Sequence, residues 1–466
     1  MNTFGRSAAL GTCVLLLAGM SGLLVQGATA AEEARGYIVV LKDSVADPAA
    51  AASRHTRSYG GSRTAVYTHA IKGYAAAMTP TQAAMLKKDP QVRFVSAQRS
   101  YKAFPPRRMT AVSCENSPVD RQCLPVYIDR INAERSSTRS GDGKGTVDVN
   151  VAVIDSGIAG EVPDLNVRSG VDCLSGSAVF PGTSLVDPSG HGTVAAGIIG
   201  GRDDDQGLVG IAPGTPLWAV KAADDAGVLS DAAVMCAIDW VTSTRTDNDP
   251  GNDIAIVNMS FGSLDVGPQD VDDRSCGTVN QDAFHLAVCN AVAAGITPVA
   301  SAGNEHHDLA RHSPAAYDEV ITATAMADFD GRPGGEAAPV CYGRDFGFDG
   351  DADDQASLGF SNFARTADLR HTVAAPGVCM ESNVPLPSHH AVADGTSFAS
   401  PAVAGVLALC IDTGRCGHST PARNLKTLLH DARSYNETKP RYGFFGDPQH
   451  PIPGRYYGHL IAADRY

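Results

Sequence analysis

The chemistry of this 466-residue chain gathers near its end, in Asp394-Gly-Thr-Ser-Phe-Ala-Ser-Pro-Ala-Val-Ala-Gly405. There one serine, Ser397, lies between a glycine turn and a run of small residues suited to a helix. A serine hydroxyl is a weak nucleophile until a base within hydrogen-bond reach takes its proton, and that base needs a carboxylate to fix its tautomer. Two upstream segments offer such groups. Asp155 closes the apolar run Val151-Ala-Val-Ile-Asp-Ser-Gly157, and His191 stands in Ser189-Gly-His-Gly-Thr-Val-Ala-Ala-Gly197. Together the three would support attack on an acyl carbon, and their order along the chain, Asp then His then Ser, separates them from other serine-based triads. Taken singly, each segment has a plainer reading: a strand terminus, a turn carrying a surface histidine, and a helix N-cap whose hydroxyl satisfies a backbone N–H.

With these residues the chain resembles the subtilisin-like serine peptidases, the subtilases, from about Pro125 to its C-terminus. The resemblance extends to Ala300-Ser-Ala-Gly-Asn304, to Val257-Asn-Met-Ser-Phe-Gly262 and to Val373-Ala-Ala-Pro-Gly377 before the nucleophile. It implies a serine endopeptidase that hydrolyses polypeptides through an acyl-enzyme on Asp155, His191 and Ser397. Asn304 would be the oxyanion donor, and Ser260, Phe261 and Gly262 would bind substrate by strand addition, the Phe261 side chain itself reading as plain core. Phe398, Ala402 and Val194 depart from residues common in the family, at positions that touch packing and not proton transfer. Acyl transfer to another amine, and a binding module with a relic triad, remain open alternatives. The resemblance also implies a structural Ca2+ on Gly201-Arg-Asp-Asp-Asp-Gln-Gly-Leu-Val-Gly-Ile-Ala-Pro213. Its ligands would be the Asp204 side chain, the carbonyls of Arg202, Gln206 and Leu208, and the carboxylate of Asp164, a set of hard oxygens of the kind calcium takes.

The N-terminal part reads differently. Arg6, an apolar stretch over residues 8–25 and Ala28-Thr-Ala30 form a secretory signal over residues 1–30, so the expected location is extracellular. No other stretch approaches membrane-spanning length, and no stable membrane anchor is expected in the mature form. Of 11 cysteines, ten lie from Cys114 onward, an even number that suggests disulfides in an exported domain, with Cys114–Cys123 and Cys410–Cys416 the closest candidate pairs. Residues 31–108 contain no cysteine and are similar to the inhibitor-type propeptide of subtilases, an intramolecular chaperone and inhibitor that the enzyme removes itself, between Phe104 and Ser113. This segment has 13 Lys+Arg against 5 Asp+Glu, and with the single charge of the signal it leaves a net of −23 for residues 109–466 out of the whole-chain −14. Opposite charges on the two parts favour their association. The acidic remainder excludes nucleic acid as a partner, and a monomer is expected.

Elements that would position the site follow from periodicity. Apolar strands near residues 149–154, 217–220, 254–257 and 297–300 alternate with helices after His191, over 230–244, over 281–294 and over 396–410. This pattern predicts an α/β fold, a mostly parallel sheet with helices on both faces, preceded by a small α+β propeptide domain and filling residues 109–466. Ligands of such sheets bind beyond the carboxyl ends of the strands, where Asp155 and Asn304 fall. His306, His307 and His312 are expected to face solvent. Asp349-Gly-Asp351-Ala-Asp353 opens like an EF-hand loop, but Phe360 occupies the twelfth position, so no EF-hand is expected.

Overall fold

The computed structural model describes residues 32–103, 122–264, 267–335, 337–339, 351–385 and 390–466. The signal, the processing window, Cys114 and part of the loop at 330–357 lie outside the described residues.

The first unit contains β1 (Arg35–Leu41), α1 (Pro48–Tyr59), β2 (Ser62–Tyr67), β3 (Gly73–Met78), α2 (Pro80–Leu86) and β4 (Val92–Ala97), followed by the short strand β5 (Ser100–Lys102). Its antiparallel sheet has the order β2-β3-β1-β4. Alternation divides the sheet between two cores: Val39 and Leu41 pack with Ala51, Ala83 and Leu86 of its own helices, whereas Ile38 and Val40 face the larger unit. Helix α1 was not foreseen, because its buried face is made of Ala51, Ala52 and His55 and carries little apolar signal. The Asp47 side chain caps its start by accepting from Ala50 N–H.

The larger unit continues with α3 (Val126–Arg130), β6 (Val151–Asp155), β7 (Val167–Asp172), α4 (His191–Gly200), β8 (Leu217–Lys221), β9 (Val228–Ser230), α5 (Asp231–Ser243), β10 (Ile256–Met259), β11 (Gly262–Ser263) and α6 (Ala283–Ala293). Then come β12 (Thr297–Ser301), β13 (Ile321–Ala327), β14 (Gln355–Ala356), β15 (Thr372–Pro376), β16 (Met380–Asn383), β17 (His390–Ala393), α7 (Thr396–Asp412), α8 (Pro421–Thr438) and β18 (His459–Leu460). The main sheet runs β18-β15-β13-β12-β10-β6-β8-β7 with every pair parallel, and β14 alone joins antiparallel, on β13. In β6, Val151 and Val153 pack towards α4 and α7 while Ala152 and Ile154 pack towards α5 and α6, so both faces are covered. Helix α7 is buried all round from Thr396 to Ile411, which only a helix without a polar stripe tolerates. Helix α8 adds an amphipathic cover that the sequence reading did not include.

Disulfides join Cys173–Cys236, Cys276–Cys289 and Cys410–Cys416, the last one of the two closest candidate pairs, and Cys123 and Cys379 are also disulfide-bonded. Among the described residues, no helix is long and apolar enough to cross a membrane.

Candidate active site

Asp155 is the last residue of β6 and His191 the first of α4, and both are buried. Nδ1 of His191 stands 2.7 Å from Asp155 Oδ1, the same oxygen that accepts from Ser156 N–H at 2.7 Å. The close approach of helix to strand depends on a missing side chain: a Cβ on Gly192 would lie 2.1 Å from the Gly157 carbonyl oxygen and 3.0 Å from Asp155 Cβ. Burial alone would lower the pKa of His191. The hydrogen-bonded Asp155 carboxylate, with a smaller contribution from Asp187, reverses this and raises it above the ordinary imidazole value.

Asp187 is a residue that sequence reasoning missed. Its Oδ1 accepts from Ser156 Oγ, Ser189 Oγ and Gly190 N–H, and its Oδ2 from the N–H and hydroxyl of Thr193. It therefore ties the glycine turn before His191 to the end of β6. The signal for it lay in Asp187-Pro-Ser-Gly, a turn-forming sequence whose aspartate bonds nearby backbone N–H groups.

Ser397 occupies the first turn of α7, with its ring neighbour Phe398 5.3 Å from the His191 ring. Its hydroxyl donates to the Ser260 carbonyl at 3.2 Å, while Nε2 of His191 has no hydrogen-bond partner among the described residues. The expected serine–histidine hydrogen bond is thus not formed here; the Ser397 proton is directed to the Ser260 carbonyl instead. Unreacted sites commonly make this bond only as substrate binds. Ser260 is further bound through its own hydroxyl, which donates to the Ser397 carbonyl at 2.7 Å.

Asn304 follows β12 and points at the start of α7. Its Oδ1 accepts both the N–H and the hydroxyl of Thr396, at 2.9 and 2.8 Å, which turns the amide nitrogen the other way. Gly395, at φ 147°, borders that nitrogen: a Cβ there would come 3.3 Å from Asn304 Nδ2 and 3.7 Å from Ser397 N. A side chain at position 395 would therefore lie against both nitrogens.

The proposed substrate strand is occupied by the chain itself. β5 runs antiparallel between β11 and β9, with Lys102 opposite Gly262, Tyr101 opposite Ser263 and Leu229, and Ser100 opposite Ser230. Gly262 pairs with this strand. Ser260 and Phe261 do not: Ser260 braces the nucleophile, and Phe261 is buried core whose ring meets that of Tyr101 at 5.8 Å. Ser263 and the β9 edge were missed, since a three-residue strand leaves no periodicity to read. The histidines also divide. His307 is exposed and His306 accepts from Arg455, but His312 is buried with Nε2 where a Cβ on Gly262 would fall, and burial lowers its pKa.

Against the loop after α4 lies Asp164, from the segment between β6 and β7; it is buried and accepts from the Asn383 side-chain amide and from Leu208 N–H. Burial raises its carboxyl to about 6, and nearby Asp204 adds to the rise. Asp203 turns away to the N–H groups of Gly141 and Gly143. Gln122, another unforeseen member, reaches the Arg202 carbonyl with its side-chain amide. A buried carboxylate destabilised by burial and by a second carboxylate, beside a carbonyl oxygen, fits a hard cation. Acidic groups also meet at Asp272, His285 and Glu319, and at Asp328, Asp330 and Asp353. Asp351 and Asp353 of the rejected EF-hand sequence accept from Ser357 and from Phe329 and Ala337 N–H, which accounts for them structurally.

Known proteins match both units of the chain. The model of the subtilase family matches residues 146–444, and that of the peptidase inhibitor I9 family matches residues 36–104. The extracellular serine proteinase of Thermus sp. (strain Rt41A) is 29% identical over 368 residues, 79% of this chain and 72% of that one. Subtilisin NAT of Bacillus subtilis subsp. natto is 27% identical over 394 residues, 84% of each. Among solved structures, fervidolysin from Fervidobacterium pennivorans, described as a keratinolytic enzyme related to subtilisin, shares the fold with a TM-score of 0.61 at 20% identity over 93% of this chain. The chain spans 60% of the length of that structure.

Proposed function

The chain belongs to the subtilase family and is a serine endopeptidase preceded by an inhibitor-type propeptide; from that premise we propose that Asp155, His191 and Ser397 form its triad and that it is a secreted, self-processed zymogen. The observation that supports this most is the 2.7 Å contact of His191 with Asp155 beside the helix that begins with Thr396 and Ser397.

In this reading a polypeptide enters as β5 does, lying along Gly262 and Ser263. The Ser397 hydroxyl rotates from the Ser260 carbonyl to His191 Nε2, which takes its proton as Oγ attacks the scissile carbonyl carbon. Asp155 holds the proton on Nδ1 and stabilises the imidazolium. The oxyanion receives the Ser397 N–H and the Asn304 amide, whose orientation Thr396 fixes. Such a donor contributes about 10²–10³ in turnover, a range known from subtilisin's own oxyanion asparagine. His191 returns the proton to the leaving amine, and water then repeats the sequence on the acyl-enzyme. Calcium, held by Asp164, Asp204 and the Arg202, Gln206 and Leu208 carbonyls, would contribute only structural stability, by tying the loop to Asp164, which Asn383 of β16 holds.

Residues 31–108 act as chaperone and inhibitor until cut between Phe104 and Ser113. A fluorophosphonate probe on the processed enzyme should label Ser397, and Ser397→Ala expressed in a protease-deficient host should accumulate as the precursor. Absence of labelling, or cleavage of the Ala variant at the same bond, contradicts the proposal.

A further inference from the structure

Upstream of Tyr101, the propeptide inserts Arg99 into a pocket made entirely by the catalytic unit. Its guanidinium donates to Asp282 at 2.6 Å and to Asp270 at 3.2 Å, and its Nε lies 3.7 Å from Asp231. All three carboxylates are buried, Asp270 and Asp282 completely. Asp282 is further held by Tyr317 Oη and Phe284 N–H, and Asp270 by Ser313 Oγ and Gly267 N–H. Asp231 differs. Among the described residues its carboxylate accepts only from the propeptide, from the Tyr101 hydroxyl and the Arg99 N–H.

Once the propeptide departs, the three carboxylates lose the Arg99 counter-charge. Each lost charge-assisted partner is unfavourable, and like charges in a partly desolvated site repel. The backbone register delivers the next residue to the same place. Asp231 N–H bonds the Arg99 carbonyl, Leu264 N–H the Ser100 carbonyl, and Lys102 pairs with Gly262. Any peptide taking the position of β5 therefore sets its third residue upstream of the one opposite Gly262 into this pocket.

We propose that Asp231, Asp270 and Asp282 form a subsite of the mature peptidase that selects a basic residue, arginine before lysine, three positions upstream of the substrate residue opposite Gly262, and that Arg99 is its first occupant. The planar guanidinium engages two carboxylates at once, as a lysine ammonium does less well. This rests on the peptidase reading of the same cleft.

The test uses processed enzyme and internally quenched peptides built on the propeptide's own tail, Arg-Ser-Tyr-Lys-Ala followed by a cleavable stretch, with Lys, Ala or Glu replacing the arginine. The kcat/KM should fall roughly 10–100-fold from Arg to Glu, mainly through KM, with Lys between them. In Asp270→Asn the Arg-to-Glu ratio should collapse several-fold; Asp231→Asn serves if that variant does not fold. A ratio near one in the wild type, or one retained in both variants, overturns the subsite. A peptide beginning at the serine, too short to reach the pocket, reports peptidase activity on its own. Should no peptide be cut, fluorescence anisotropy of the labelled Arg and Glu pentapeptides on the propeptide-free protein decides the pocket: preferential binding of Arg upholds it, and equal binding rejects it.

Discussion

The pair His191–Asp155 carries a pH dependence whose sign follows from its surroundings. Only neutral imidazole accepts the serine proton, and the Asp155 carboxylate favours the charged form, so kcat/KM should rise with pH along a limb above the ordinary imidazole value of about 6.5. The same elevation makes protonated His191 stabilise the folded state. That contribution is complete below the unfolded imidazole value and disappears as pH rises through the higher folded one. Asp155→Asn should move the limb to lower pH and reduce kcat by about 10⁴, close to the loss known from subtilisin's own aspartate. A pH–rate profile of the variant with an unshifted limb would separate His191 from Asp155 functionally.

At the scale of elements, the site depends on how tightly α4 meets the end of β6. The helix offers no side chain at Gly192, and the Gly157 carbonyl fills that space. Gly192→Ala forces the helix away from the strand, at about 1–3 kcal/mol for overpacking a site that cannot yield, and carries His191 with it. Thermal unfolding should show the destabilisation, and kcat/KM should fall by more than tenfold at a temperature where the variant is folded. Full activity in Gly192→Ala would mean that the helix shifts without moving its first residue.

For the whole molecule, two predictions concern how its parts are held together. The propeptide carries its +8 against −23 on the remainder, and exposed charges are screened over about 8–10 Å near physiological salt. A separately made fragment of residues 31–104 should inhibit the mature enzyme, with affinity decreasing as salt rises from low to near-molar. Indifference to salt would assign the affinity to the buried contacts instead, such as Asp239 accepting the N–H groups of Thr68, His69 and Ala70. Calcium should raise the melting temperature and a chelator lower it, since a ligand at 100 times its Kd stabilises by about 2.7 kcal/mol. Asp204→Ala should remove most of that response while Ser397 still labels in the cold; an unchanged response would locate the cation elsewhere.

The sequence by itself determined the alternation of strands and helices, and with it the parallel sheet, because a strand buried on both faces must be apolar along its whole length. It also made Asp155, His191, Asn304 and Ser397 legible as candidates, since each lies in a short segment whose glycines mark a close approach. Tertiary structure alone decided what depends on partners distant in the chain. Arg99 meets Asp231, Asp270 and Asp282 across more than 130 positions, and nothing in the spacing of an arginine and three aspartates indicates that they share a pocket. Asp187 reads as a turn residue until the fold brings Ser156 to it. His312 reads as a surface residue until packing buries it. Helix α1, lined by alanine, acquires its buried face only from the sheet beneath it. Local patterns specify elements through their own backbone and burial periodicity, whereas the composition of a pocket is fixed only when the sheet order is set.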